Sequence, residues 1–132
     1  MEAFSDSDFA GDIDDRKSTS GAFFFFGSHL ISWSSKKQKT VALSSCEVEY
    51  IAATQAACEG IWIMRLLNEL EILRARKFSL KIDNKSAISL SKNPVFHERS
   101  KHIDTRYHFI CECVEDGKLD IDYVITQDQK AD

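Results

Sequence analysis

Asp6, Glu49 and Asp83 stand where three carboxylates could act together. Asp6 follows a short apolar stub, Ala3-Phe4-Ser5. Glu49 falls in the first turns of a long helical pattern, and Asp83 closes the alternating run from Phe78 to Ile82. If the strands ending at Asp6 and Asp83 are neighbours, the two carboxylates come side by side and Glu49 can reach them from above. Carboxylates so gathered repel one another and stay ionised at neutral pH only when cations bind them. Ligands that are all oxygen suit hard divalent ions, Mg²⁺ or Mn²⁺. Each acid alone has a plainer account: Asp6 and Asp8 as turn residues, Glu49 as a helix acid favoured by the macrodipole, Asp83 as a helix cap. The shared reading gains from the context of each and from their order along the chain: Asp, Glu, Asp.

Of the segments that carry these acids, the longest is a helix from Ser44 to Leu70. Ser44 or Ser45 caps it, and Glu47 completes a capping box with Ser44. Glu49 shares a face with Ala52, Ala53, Ala56, Gly60, Ile63 and Leu67. That face is small near Glu49, which lets the helix backbone lie close to a sheet. Ahead of the helix, the stub ends at Asp6-Ser7-Asp8 and a polar loop, GDIDDRKSTSG, comes next. Ala22–Phe26 and Leu30–Trp33 form a hairpin about Gly27-Ser28, and Ser34–Lys39 reads as a basic turn. After the helix come a strand from Phe78 to Asp83 and a short helix from Lys85 to Ser91, stopped at Asn93-Pro94. VFHERSKH reads as a loop. A third helix is marked by Ile103, Tyr107, Ile110, Cys111 and Val114, with Gly117 just past its end. The last strand runs from Leu119 to about Ile125. This order predicts a mixed α/β sheet with helices packed on it.

The 132 residues suffice for one domain with one core, and 43% hydrophobic with 29% charged residues is an ordinary globular balance. No apolar run approaches the roughly 20 residues of a membrane span, and MEAFSDSD does not read as a signal peptide. A net charge of −4 argues mildly against a free-standing nucleic-acid binder, although bound metal ions would offset it locally. The four cysteines, Cys46, Cys58, Cys111 and Cys113, make no CxxC pair. His97, His102, Cys111 and Cys113 have the wrong spacing for a zinc set, so reduced thiols in an intracellular protein are expected, with no zinc and no membrane contact.

The stretches SDSDFAGD, RKSTSGAFFFFG, ISWSSKKQKTVALSS, CEVEYIAATQAACEGIWI, DNKSAISLSKNPVFHERSKHID and RYHFI span nearly the whole chain. Together they closely resemble the ribonuclease H domain of Ty1/copia-type retrotransposon Pol polyproteins. The resemblance implies a ribonuclease H-like fold, a five-stranded mixed sheet of order 3-2-1-4-5 with flanking helices. It also implies two-metal hydrolysis of the RNA strand of an RNA–DNA hybrid during reverse transcription, with Mg²⁺ or Mn²⁺ as cofactor. Matched motif by motif, the catalytic, metal-binding carboxylates are Asp6 in SDSD, Glu49 in EVEY, Asp83 in DN and Asp132 in the closing Ala131-Asp132. A reverse transcriptase domain is expected on the amino-terminal side, and a cytoplasmic virus-like particle as location.

The match has departures. Val48, Cys46 and Lys85 stand where the family usually has alanine, threonine and glutamine, and Lys85 could compete with metal for a carboxylate. Residues 1–132 are expected to be a single domain with an incomplete first strand and without the family's closing helix, as in a fragment of a longer polyprotein. Substrate contacts are expected from Arg16, Lys17, Ser18, Thr19, Lys36, Lys37 and Lys39 on two sides of the hairpin, and from Arg99, Lys101 and His102 in a loop. Discrimination of RNA would come from 2′-hydroxyl contacts in the minor groove. Solvated turn charges account for each lysine equally well, and His102 reads more readily as a capping histidine. The alternatives are an inactive transposon remnant and a non-catalytic nucleic-acid-binding module of this fold. An integrase-like strand transferase is disfavoured by glutamate standing second among the acids.

Overall fold

The computed structural model describes residues 1–8, 16–39, 41, 45–83 and 101–124, with side chains given for all of these except 45, 46 and 101–107. In order the elements are β1 (Glu2–Asp8), β2 (Thr19–Phe26), β3 (His29–Lys37), α1 (Ser45–Glu69), β4 (Phe78–Asp83), α2 (Lys101–Glu115) and β5 (Leu119–Val124). The five strands form one sheet of order β3-β2-β1-β4-β5. β1 is antiparallel to β2 and β2 to β3, whereas β1–β4 and β4–β5 are parallel. This is the mixed sheet and strand order that the resemblance implies.

Side-chain alternation builds the core on one face of the sheet. Ala3, Ala22, Phe24, Phe78, Leu80, Ile82 and Leu119 are buried with Ala53, Ala56, Ala57, Ile63 and Met64 of α1, and α2 adds Ile110 and Cys113. The small face of α1 serves the close approach that its composition suggests. A Cβ built on Gly60 would lie 2.3 Å from the Phe78 ring, so only glycine fits there without displacement. Both helices end in the same hydrogen-bonded turn. At the end of α2, Lys118 N–H donates to Cys113 O (2.9 Å) and Gly117 N–H to Val114 O (3.1 Å), with Gly117 at φ +70°. At the end of α1, Ile72 N–H donates to Leu67 O (3.0 Å) and Glu71 N–H to Asn68 O (3.1 Å), but the left-handed position is held by Glu71 at φ +60°.

Several boundaries differ from the sequence reading. β2 begins at Thr19, inside the stretch that reads as a polar loop. β1 runs on past Asp6 to Asp8, where it pairs with Thr19. β3 continues through Ser34–Lys37, the stretch that reads as a turn. It is an edge strand, so polar and basic side chains cost nothing there and blunt the open edge. α2 begins at Lys101, taking in the last two residues of the expected loop. The expected helix at Lys85–Ser91 lies outside the described residues.

Candidate active site

β1 and β4 bring two of the acids together. Their ladder pairs Glu2 with Ser79, Ala3 with Leu80 and Phe4 with Lys81. Run on by two residues, that register sets Asp6 level with Asp83, across the roughly 5 Å between adjacent strands. Alternation also fixes their face. Ala3, Leu80 and Ile82 point into the core beneath α1, so Asp6 and Asp83 belong to the opposite face. Asp6 is half-buried and Asp83 buried.

Glu49 arrives from the helix side, and its position is set by two anchors on α1. Gln38, just past β3, donates from Nε2 to Ser20 Oγ (2.8 Å) and to Val48 O (3.3 Å). The first turns of α1 therefore lie over Ser20, which pairs with Ser7 near the end of β1. Gly60, about 18 Å further along the helix, rests on Phe78 at the start of β4. α1 thus runs antiparallel to β1 and β4 and starts at the end of the sheet where both finish. Glu49, next after Val48, shares that end with Asp6 and Asp83. It is half-buried, and its Oε2 is enclosed without a hydrogen bond although the side chain has another interaction. Among the described residues, no three His, Cys, Asp or Glu side chains are gathered into a set that could hold a metal ion. The register thus sets Asp6 and Asp83 on one face, turned away from α1, while Glu49 comes only to the same end of the sheet; the expected gathering of all three into one set is not seen among the described residues. Asp132 lies outside the described residues.

The basic residues divide by strand parity. Lys36 lies opposite Ser20 and turns towards α1, where its Nζ meets Glu59 Oε1 at 3.1 Å, while Ser34 Oγ donates to Glu59 Oε2 at 3.0 Å. Lys37 lies opposite Thr19, which faces Asp8, so Lys37 and Thr19 share the face of the acid pair. Arg16 and Lys39 are exposed and Lys17 is half-buried. Ser18 is fully buried, and its carbonyl accepts from Gln38 N–H at 2.7 Å, which leaves it no surface to offer a phosphate. Arg99 lies outside the described residues, and of Lys101 and His102 only the helical backbone is described.

Sequence reasoning missed Gln38. It is 1% exposed and ties β2, β3 and α1 together beside Glu49. Inside KKQK it carries no signal that separates it from a solvated polar residue.

No family model matches the sequence. The chain is 48% identical over all 132 residues to the retrovirus-related Pol polyprotein from transposon TNT 1-94 of Nicotiana tabacum, covering 10% of that protein. Identity is also 48% over 132 residues with the Pol polyprotein from transposon RE1 of Arabidopsis thaliana, of which it covers 9%. By descent, this chain is a relative of the transposon Pol polyproteins. The Pol relative spans about a tenth of the length of these proteins. Its fold is that of ribonuclease H. It superposes on LC11-RNase H1, solved in complex with an RNA/DNA hybrid, with a TM-score of 0.61 at 9% identity, covering 98% of this chain and 88% of that one. Among its described residues, no helix is long and apolar enough to cross a membrane.

Proposed function

We propose that this chain is the ribonuclease H segment of a Ty1/copia-type Pol polyprotein and hydrolyses the RNA strand of an RNA–DNA hybrid. The observation that carries this reading is the level placement of Asp6 and Asp83 on adjacent strands, at the end of the sheet where α1 delivers Glu49. The donors are all carboxylate oxygen, the chemistry that suits a hard divalent metal, although the three described acids are not gathered into one set in this structure. Asp6, Glu49 and Asp83 would hold Mg²⁺ or Mn²⁺, with Asp132 as the fourth ligand. Two bound ions supply activation of the attacking water and stabilisation of the departing oxygen.

The chain's own part is to orient the hybrid. Thr19 and Lys37 flank the acids on the same face, and Arg16, Lys17 and Lys39 extend the basic rim, so phosphate contacts fall to them. Lys36 contributes less, because it turns to the other face of the sheet, where it meets Glu59. Arg99, Lys101 and His102 remain candidates for the other side of the substrate. In this reading the domain is single, works beside the polyprotein's reverse transcriptase, and acts inside a cytoplasmic particle.

The test is cleavage of an end-labelled RNA–DNA hybrid with Mg²⁺, Mn²⁺ or chelator. Metal-dependent cutting of the RNA strand that Asp6→Asn abolishes, with an unchanged circular dichroism spectrum, is the expected result. Cutting that survives Asp6→Asn would refute the assignment. Salt-dependent binding with no cutting in either metal would leave the non-catalytic module of this fold.

A further inference from the structure

Both described helices pack on one face of the sheet, over Ala3, Phe24 and Leu80. The opposite face carries Asp6 and Asp83 at one end and is aromatic beside them. Trp33 on β3 lies opposite Phe23, and Phe23 lies opposite Phe4 on β1. Leu30 and Phe25 make the next row. Trp33 is 63% exposed and Leu30 48% exposed, while Phe23 and Phe25 are half-buried. The rings stand on a firm base. Phe4 is buried and meets Phe25 edge to face, with centroids 5.7 Å apart.

The aromatic row adjoins the acids. Asp6 pairs with Gly21 and Gly21 with Ser35, one step of alternation, about 7 Å, from the row of Phe4, Phe23 and Trp33. Gly21 leaves the backbone bare between Asp6 and the edge strand. A glycine weakens a strand, and often marks a place where a ligand or another backbone comes close. Packing does not require it here. Among the described residues, a Cβ at Gly21 would meet only Ser34 O, at an ordinary 3.9 Å. Beyond the acid row, Lys37 shares this face about 13 Å from Trp33 along β3. A cation at one end, a bare floor and an exposed indole at the other suit a polyanion that carries flat rings.

Bases inside a duplex stack on one another and offer no face to a side chain. Unpaired bases do, and they stack on aromatic rings whatever their sequence. We propose, on the reading of this chain as a hybrid nuclease, that Trp33, with Phe23 beside it, stacks the unpaired bases of a strand that runs off the end of the hybrid. The favoured substrate is then a hybrid with a single-stranded overhang, and Gly21 is the floor over which that strand leaves the acid pair.

Trp33 and Trp62 are the two tryptophans, so Trp62→Phe leaves Trp33 as the sole reporter. In chelator, where the hybrid stays whole, a hybrid with an overhang quenches that fluorescence. By anisotropy of the labelled nucleic acid, it binds about tenfold more tightly than a blunt hybrid. Trp33→Ala erases the difference and Trp33→Phe keeps most of it. Overhangs on the RNA strand and on the DNA strand are tested separately, and a preference for either bears out the proposal and names the strand. Equal affinity for blunt and overhanging hybrids overturns it. So does Trp33 fluorescence that the overhang leaves unchanged, whether or not Trp33→Ala folds. A dimer in sedimentation that Trp33→Ala dissolves would make a second copy the occupant, and overturns it too. Adding Mg²⁺ separates the two readings. Cutting without overhang preference counts against the stacking platform alone, and overhang preference without cutting counts against the nuclease reading alone.

Discussion

Carried two residues past its last pair, Phe4 with Lys81, the parallel β1–β4 register sets Asp6 level with Asp83, both on the sheet face away from α1. Carboxylate oxygens so placed are donors that suit a hard divalent cation. Anything bound by the folded state alone raises its stability, by about 2.7 kcal/mol at a hundredfold excess over Kd. Saturating Mg²⁺ is therefore expected to raise the melting temperature by several degrees, and chelator to reverse the shift. In Asp6→Asn/Asp83→Asn the shift disappears. Differential scanning calorimetry with and without Mg²⁺ reads both effects, and an undiminished Mg²⁺ shift in the double variant would place the metal elsewhere.

Gln38 holds the start of α1, and hence Glu49, through Val48 O, and holds β2 through Ser20 Oγ. Gln38→Ala leaves a buried carbonyl and hydroxyl without that donor, a loss of about 1–3 kcal/mol. Its effect reaches beyond stability, because the first turns of α1 lose their tie to the sheet. Hydrogen exchange at Val48–Ile51 should speed up more than at Gly60–Met64, and cleavage should slow with little change in hybrid affinity. Uniformly faster exchange along the whole of α1 would make Gln38 a general stabiliser instead.

What the sequence disclosed depended on whether alternation survived. β4 and β5 pack one face on the core, so Phe78, Leu80 and Ile82, then Leu119 and Ile121, show their period. The second half of β3 lies at an open edge where neither face demands apolar residues, so Ser34–Lys37 looks like a turn. That single misreading hid the parity that sends Lys36 to Glu59 and Lys37 to the acid face. The place of Glu49 in the first turns of α1 was legible because a helix period frames it. Gln38 was not, because its burial depends on Ser20 and Val48, which are distant in sequence. The strand order was carried by resemblance, since no local pattern says which strands are neighbours.

Gly60 lets α1 lie against the Phe78 ring of β4 with no room for a methyl group between them. Alanine gains roughly 1 kcal/mol of helix propensity over glycine. Here it would press its methyl group into the Phe78 ring, which is itself buried. Overpacking of that kind costs about 1–3 kcal/mol, so Gly60→Ala is expected to lower stability on balance. Phe78→Leu beside it should recover part of the loss, a non-additive pair in urea denaturation. A stabilised Gly60→Ala would mean that α1 can lift off β4 at no cost.

The thiols of Cys58 and Cys113 are both pushed above the ordinary range, mainly by burial. For Cys58 the neighbouring Glu59 adds to the shift, and for Cys113 Lys118 partly opposes it. A thiol whose folded pKa is raised holds its proton more tightly than in the unfolded chain. Its contribution to stability is present below the unfolded value of about 8.5 and is lost as pH rises through the folded value. Alkylation of Cys58 by iodoacetamide at pH 8 should be slower than that of an unstructured thiol. Glu59→Gln should speed it. Equal rates in the parent and Glu59→Gln would remove the carboxylate as a cause.

Glu71 and Gly117 occupy the same position in the same kind of helix-ending turn, at φ +60° and φ +70°. A residue with a Cβ pays about 1–2 kcal/mol to enter that left-handed region, whereas glycine enters it freely but loses more backbone entropy on folding. The balance favours glycine where the turn is held by its hydrogen bonds, as Ile72 N–H to Leu67 O and Glu71 N–H to Asn68 O hold this one. Glu71 is also an acid at the negative end of the α1 dipole, a further small penalty. Glu71→Gly is therefore expected to raise stability by about 1 kcal/mol, and Gly117→Ala to lower it by a similar amount. Chemical denaturation at constant m-value reads both. If Glu71→Gly destabilises, the exposed carboxylate must be making a contact that outweighs backbone strain, and the turn at the end of α1 would be held by its side chain as well as by its main chain.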